Sequence, residues 1–159
     1  YFIYPWREKM KILFVCSGNT CRSPMAQALM QKILEEESNT KEIKVFSAGL
    51  HAVSGQRASK EALETMRQYS IDLSNHRAQA LNRQLIEDVD LILTMTHMQC
   101  MQLRNNNPGK KGFIYTLSEY ARAGDYDVDD PYGLGLGEYL RTAEELQKMV
   151  RRILPLLNK

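Results

Sequence analysis

The 159-residue chain alternates short apolar runs with stretches where apolar residues recur every three or four positions. Ile12 to Val15 is an unbroken apolar run, the pattern of a strand covered on both faces. Ala26, Leu29, Met30, Ile33 and Leu34 follow at helical spacing, and Pro24 stands where that helix would begin, a place that tolerates a missing N–H. Ile43 to Phe46 predicts a second strand, ending in Ser47-Ala48-Gly49, and Ala58, Ala62, Met66 and Tyr69 share one face of a second helix. A polar stretch with Ser74, Asn75 and His76 comes next, then a short segment around Leu85. Asp90 to Met95 predicts a third strand and His97 to Arg104 a helix, before the breaker cluster Asn105-Asn106-Asn107-Pro108-Gly109. Phe113 to Leu117 predicts the fourth strand, and a last helix from near Glu138 carries Leu146, Val150, Ile153, Leu154 and Leu157 as its buried stripe. Strands alternating with helices imply an α/β fold whose parallel sheet is covered on both faces.

Composition narrows the class without naming it. With 43% hydrophobic and 25% charged residues the chain reads as one ordinary globular domain. A net charge of +2 is too small to argue for nucleic acid or an anionic membrane surface, so neither is expected as a partner. No apolar run approaches the ~20 residues of a membrane span. An odd count of three cysteines suits a reducing compartment, so a cytoplasmic location is expected, and a monomer is favoured. Residues 1–9 precede Met10, lack the apolar core of a signal peptide, and are read as a flexible N-terminal extension; 10–159 is the domain.

The chemistry concentrates where the first strand gives way to the first helix. Cys16 and Arg22 are separated by five residues and Ser23 follows, so Ser17, Gly18, Asn19, Thr20 and Cys21 form a loop held at a helix N-terminus, where N–H groups and the dipole attract an anion. That spacing suits a ring of backbone N–H groups around one tetrahedral oxyanion, with Gly18 and Asn19 as the types that readily turn left-handed. Arg22 would close the ring with a planar fork of donors. Cys16 would lie at the floor, where positive potential favours the thiolate and Ser23 can donate to it. The chemistry expected is attack on phosphorus, giving a phosphocysteine that water then hydrolyses. Two plainer readings compete: a buried structural cysteine, or half of a zinc site built with Cys21. Zinc fails because only Cys100 and three histidines remain, none at ligand spacing, and no metal or cofactor is expected.

Val15-Cys16-Ser17-Gly18-Asn19-Thr20-Cys21-Arg22-Ser23-Pro24-Met25-Ala26 resembles the signature of the low-molecular-weight protein tyrosine phosphatase family, and Asp130-Pro131-Tyr132 resembles that family's acid loop. The resemblance runs from about Met10 to the end. It implies a three-layer, four-stranded parallel sheet flanked by helices, with the phosphate loop after the first strand and phosphorylated proteins as substrates. It also implies that Ser47 and His76 brace Asn19 and Ser23, and that Cys21 is a disulfide partner for Cys16 under oxidation.

Asp125, Asp127, Asp129 and Asp130 lie among glycines in a loop that could pass for a calcium site, but position six is Asp130 and position twelve Leu136 where an EF-hand needs Gly and Glu. Asp130, set by Pro131, is instead the expected general acid and then base, with Tyr132 as a wall of the cleft. Thr20 bears on the substrate. Tyrosine phosphatases that this chain resembles mostly carry Ile or Leu there, and protein arginine phosphatases of the same fold carry Thr. A hydroxyl removes apolar grip on a phenyl ring and offers a guanidinium a polar neighbour, so phosphoarginine is expected over phosphotyrosine. Thiol-dependent arsenate reductase, which shares the loop, needs a further redox cysteine pair where this chain has only Cys100. A phosphate-binding module would need neither Cys16 nor Asp130, and a P-loop kinase is excluded for want of its lysine motif.

Overall fold

The computed structural model describes residues 9–37 and 42–157. Most of the N-terminal extension therefore lies outside the described residues, and Lys9, counted with it above, opens the first strand. The elements in chain order are β1 (Lys9–Cys16), α1 (Arg22–Glu36), β2 (Glu42–Gly49), α2 (Lys60–Arg67), α3 (Arg83–Asp88), β3 (Leu91–Thr94), α4 (His97–Asn106), β4 (Ile114–Thr116), α5 (Leu117–Tyr120) and α6 (Leu136–Leu157). The sheet order is β2-β1-β3-β4, all parallel, as expected of the α/β class.

The apolar run of β1 explains the three layers. Ile12, Phe14 and Cys16 pack into one core with Met25, Leu29, Met66, Tyr139, Leu146 and Val150, whereas Leu13 and Val15 pack into another with Ile92, Ile114, Ile86 and Leu103. Successive side chains of a strand point to opposite faces, so a central strand covered twice must be apolar throughout. Each large side chain so buried contributes about 1.5–3 kcal/mol. Among the described residues no helix is long and apolar enough to cross a membrane.

Expected boundaries move at several elements: Asp90 and Met95 fall outside β3, and Ala58 and Tyr69 outside α2. Two more shifts occur at β4. Phe113 closes a short 3-10 turn (Pro108–Phe113) instead of opening β4, and Leu117 starts α5 instead of ending the strand. The reason for the second is local: the Thr116 hydroxyl accepts the Glu119 N–H at 3.2 Å, an N-cap that stops the strand. The register pairs Cys16 with Gly49 at the carboxyl ends of β1 and β2, the edge where open parallel sheets bind ligands.

Candidate active site

The loop between β1 and α1 is built from outside by its carbonyls. The Cys16 carbonyl accepts Leu50 N–H at 3.0 Å, Ser17 accepts His51 N–H at 2.9 Å, Thr20 accepts Ser59 N–H at 3.0 Å, and Cys21 accepts Met25 N–H at 3.2 Å. The Asn19 carbonyl takes His76 Nε2–H at 2.7 Å. No peptide is cis among the described residues, so each of these planes directs its own N–H the opposite way. The N–H groups of Ser17, Gly18, Thr20, Cys21 and Arg22 therefore each point away from those partners, as a ring around an anion requires. Only Asn19 in the loop takes a left-handed backbone, with φ of 55°; Gly18, expected to share that role, does not. Gly18 adjoins the cavity, where a Cβ would lie 3.7 Å from Thr20 Oγ1.

The sulfur of Cys16 is held by a polar web whose hydrogens can be placed one by one. Gln79 N–H donates to Asn19 Oδ1 at 2.9 Å, which fixes the orientation of that amide. Asn19 Nδ2 then donates to Ser23 Oγ at 2.8 Å and to Ser47 Oγ at 2.9 Å. Ser47 passes its own hydrogen to Gln27 Oε1 at 2.6 Å, and Gln27 Nε2 bonds the Val45 carbonyl. Ser23 is left with its hydrogen free for Cys16 Sγ, 2.8 Å away, and Asn19 N–H reaches the same sulfur at 3.3 Å. Two donors converge on a sulfur buried beneath the loop, an arrangement that suits a negatively charged acceptor. Burial holds His76 below the usual imidazole range, so the ring is neutral and its Nε2 carries the hydrogen given to Asn19.

Arg22 is buried; its Nη1 donates to the Val128 carbonyl at 2.8 Å and Nη2 lies 3.7 Å from Asp130 Oδ2. Its Nε–H is buried and bonds no protein atom among the described residues. A buried charged donor without an acceptor is costly, and an anion in the ring of N–H groups would supply one. Asp130 stands at the other side, its Oδ1 accepting Tyr132 N–H at 3.1 Å. Cys16, Gly18, Thr20, Cys21, Arg22, Asp130 and Tyr132 line one cavity of about 220 Å³, joined by Gln56. All three expected catalytic residues thus share a cavity with Thr20 and Tyr132, and Ser47 and His76 sit behind the loop.

Sequence reasoning missed several participants. A Cβ on Gly49 would stand 2.6 Å from the Ser17 carbonyl oxygen and 2.9 Å from the Asn19 nitrogen, so only glycine lets β2 approach the loop this closely. Gln79 acts through its backbone N–H and through its side-chain amide, which donates to the Ser47 carbonyl at 2.9 Å, and nothing in the local sequence marks either contact. The aspartate-rich segment has its own partner in His97, whose backbone N–H and Nδ1 both bond Asp127 Oδ1, at 2.8 and 2.9 Å, and whose Nε2 meets Asp125. The Asp127 hydrogen bond raises the His97 pKa, and the His97 N–H lowers that of Asp127. His97, Glu119 and Asp125 are close enough to share a cation, at a place distinct from the lining of the cavity.

Comparison with known proteins places this geometry. The chain is 37% identical to a protein-arginine-phosphatase of Bacillus subtilis (strain 168) over 94% of its length and 98% of the relative's. It is 39% identical to the low molecular weight protein-tyrosine-phosphatase PtpB of Staphylococcus epidermidis over 91% of its length and 96% of that chain. Among solved structures it superposes with a TM-score of 0.88, at 36% identity and covering 94% and 97% of the two chains, on the YwlE arginine phosphatase mutant in which serine replaces cysteine and the active-site serine is phosphorylated. The family model for low molecular weight phosphotyrosine protein phosphatase matches residues 11–159. Relatives of both names are hydrolases that take phosphate from proteins, and this chain belongs to the low molecular weight phosphotyrosine protein phosphatase family.

Proposed function

We propose that the protein removes phosphate from phosphoarginine side chains of proteins, with Cys16 as nucleophile, Arg22 and the loop N–H groups as the oxyanion cradle, and Asp130 as general acid and base. In the first step the Cys16 thiolate attacks phosphorus, the S–P bond forms as the P–N bond breaks, and Asp130 gives its proton to the departing guanidine nitrogen. In the second, Asp130 takes a proton from water, the water oxygen attacks phosphorus, and the S–P bond breaks to release phosphate and restore the thiolate. The observation that carries this reading is the convergence of Ser23 O–H and Asn19 N–H on Cys16 Sγ beneath a ring of N–H groups. The phosphorylated serine in place of a cysteine in the arginine phosphatase relative supports the covalent intermediate.

The choice of phosphoarginine rests on Thr20, which meets the cavity beside Gln56 and Asp130, so much of its wall is polar. A guanidinium finds a hydroxyl, an amide and a carboxylate there. Phosphotyrosine is the second reading, favoured by Tyr132, a residue 70% exposed at the same cavity whose ring can face another ring. Arsenate reduction finds no second cysteine pair, since Cys100 is buried beneath β4 with its thiol toward the Ile114 carbonyl. Side-by-side turnover of phosphoarginine and phosphotyrosine peptides tests the reading. The phosphoarginine peptide is expected to have the larger kcat/KM, and Thr20→Ile to lower the ratio about tenfold, equivalent to ~1.4 kcal/mol. A ratio unmoved by Thr20→Ile removes the basis for phosphoarginine, and wild-type turnover by Cys16→Ala removes the nucleophile.

A further inference from the structure

Beside the phosphate loop lies a trio of side chains, two of them buried, that the reaction above does not use. Cys21 Sγ is 3.1 Å from the Tyr139 hydroxyl and 3.5 Å from Ser59 Oγ, and Ser59 Oγ is 3.2 Å from the Tyr139 hydroxyl. Cys21 donates its S–H to Ser59 and Ser59 donates its O–H to Tyr139, which leaves the phenol hydrogen for the sulfur. The three groups form a closed ring in which each donates once, and Ser59 Oγ also accepts Ala62 N–H as the cap of α2. Tyr139 is fully buried; burial first, then the contact with Cys21, raises its pKa and keeps the hydrogen on the phenol.

The ring reaches the cavity through Thr20. Thr20 Oγ1 lies 3.6 Å from Cys21 Sγ, and Ser59 N–H holds the Thr20 carbonyl. A threonine side chain chooses among staggered wells that exchange its methyl and hydroxyl in space, so a sulfur beside Oγ1 selects one of them. We propose that Tyr139, acting through Cys21, is a positioning residue that sets the Thr20 hydroxyl and with it the discrimination between phosphoarginine and phosphotyrosine. This inference rests on the reading of Thr20 as the residue that discriminates. Removing the phenol oxygen deprives the sulfur of its donor and Ser59 of its acceptor. Cys21 is then held through Ser59 alone, and the contact that selects the Thr20 well loosens.

The test is a double-mutant cycle in the full chain, with kcat/KM for a phosphoarginine and a phosphotyrosine peptide measured for the wild type, Tyr139→Phe, Thr20→Val and the double variant. Tyr139→Phe is expected to change the ratio of the two values at least about threefold when Thr20 is present, and less than about 1.5-fold when Val stands there, a coupling typical of side chains in one network. An equal change in both backgrounds overturns the proposal, as does an equal loss on both substrates with the ratio intact, the mark of a merely structural role. Should Tyr139→Phe fold poorly, Ser59→Ala opens the same ring and must show the same dependence on Thr20. Which peptide the wild type prefers tests the phosphoarginine reading; the coupling between Tyr139 and Thr20 is read whichever peptide wins.

Discussion

Asn19 is fully buried and gives every polar atom of its side chain and backbone to fixed partners, whereas Asp130, with its side chain 53% exposed, is held by one backbone N–H and one 3.7 Å ion pair. Asp130 lines the cavity, whereas Asn19 lies buried behind the loop. On one side the polar groups are locked between β1, β2 and α1; on the other they ride a loop anchored through Val128, whose N–H bonds the Met95 carbonyl and whose carbonyl takes Arg22. The proposed displacement at phosphorus demands that sulfur, donors and cation keep their places to within a fraction of an ångström, which rigid elements and a braced polar web provide. In the proposed reaction Asp130 serves two steps and side chains of different length, and such a donor gains from a lightly held segment.

Asn19→Ala strikes the locked side hardest. It removes the donor that directs the Ser23 hydrogen toward Cys16, takes one of two partners from Ser47 Oγ and the acceptor from Gln79 N–H, and puts Ala at a φ of 55°, which costs about 1–2 kcal/mol by itself. We expect kcat to fall about a thousandfold, with about 3 kcal/mol of stability lost. For a chain of this size that is a drop in Tm of roughly 6–12 °C.

Asp130→Asn strikes the loosely held side. Loss of the proposed general acid is expected to lower kcat by about a hundredfold or more. Because the carboxylate is exposed and weakly tied, Tm should move by less than about 1 °C. The loss should also shrink for an aryl phosphate whose leaving group needs no proton. Equal falls in Tm for Asn19→Ala and Asp130→Asn would erase the distinction between the two sides, and circular dichroism melts beside steady-state kinetics decide it.

The same contrast explains what could be read from the residues alone. β1, its loop and α1 are continuous in the chain, and the spacing of Cys16, Arg22 and Ser23 carries their geometry with it. The four strands were legible because a doubly covered sheet needs apolar runs. Gly49 was not, because its need for a bare Cα arises only from the register that sets it beside Cys16. Tyr139 lies on the buried face of α6, yet nothing local tells that its hydroxyl meets Cys21, 118 positions away. The left-handed turn at Asn19 in place of Gly18 follows from a web that uses the asparagine side chain at the same time as its backbone, and glycine has no such side chain.

The smallest expected effect separates the two sides by pH. His76 braces the locked side as a neutral ring, its pKa held down by burial, with Arg77 pushing the same way and the Asn19 bond opposing. Between that lowered pKa and the ordinary value of about 6.5, the unfolded chain binds more protons than the folded one, so stability rises with pH through the window. His97 braces the acid loop as a cation among Asp127, Asp125 and Glu119, with its pKa raised chiefly by Asp127. There the folded chain binds more protons above 6.5, so its contribution is full below that value and fades as pH rises through the raised pKa. Tm measured from pH 5 to 8 should therefore show wild type losing ground to His76→Gln as pH falls below 6.5, because glutamine can donate to the Asn19 carbonyl without charging. Against His97→Asn, wild type should lose its advantage as pH rises above 6.5. Each difference should amount to about 1–3 °C, since the His97 pairs are largely open to solvent and screened. Slopes of the same sign for both variants would mean that the two histidines do not brace their sides in opposite charge states.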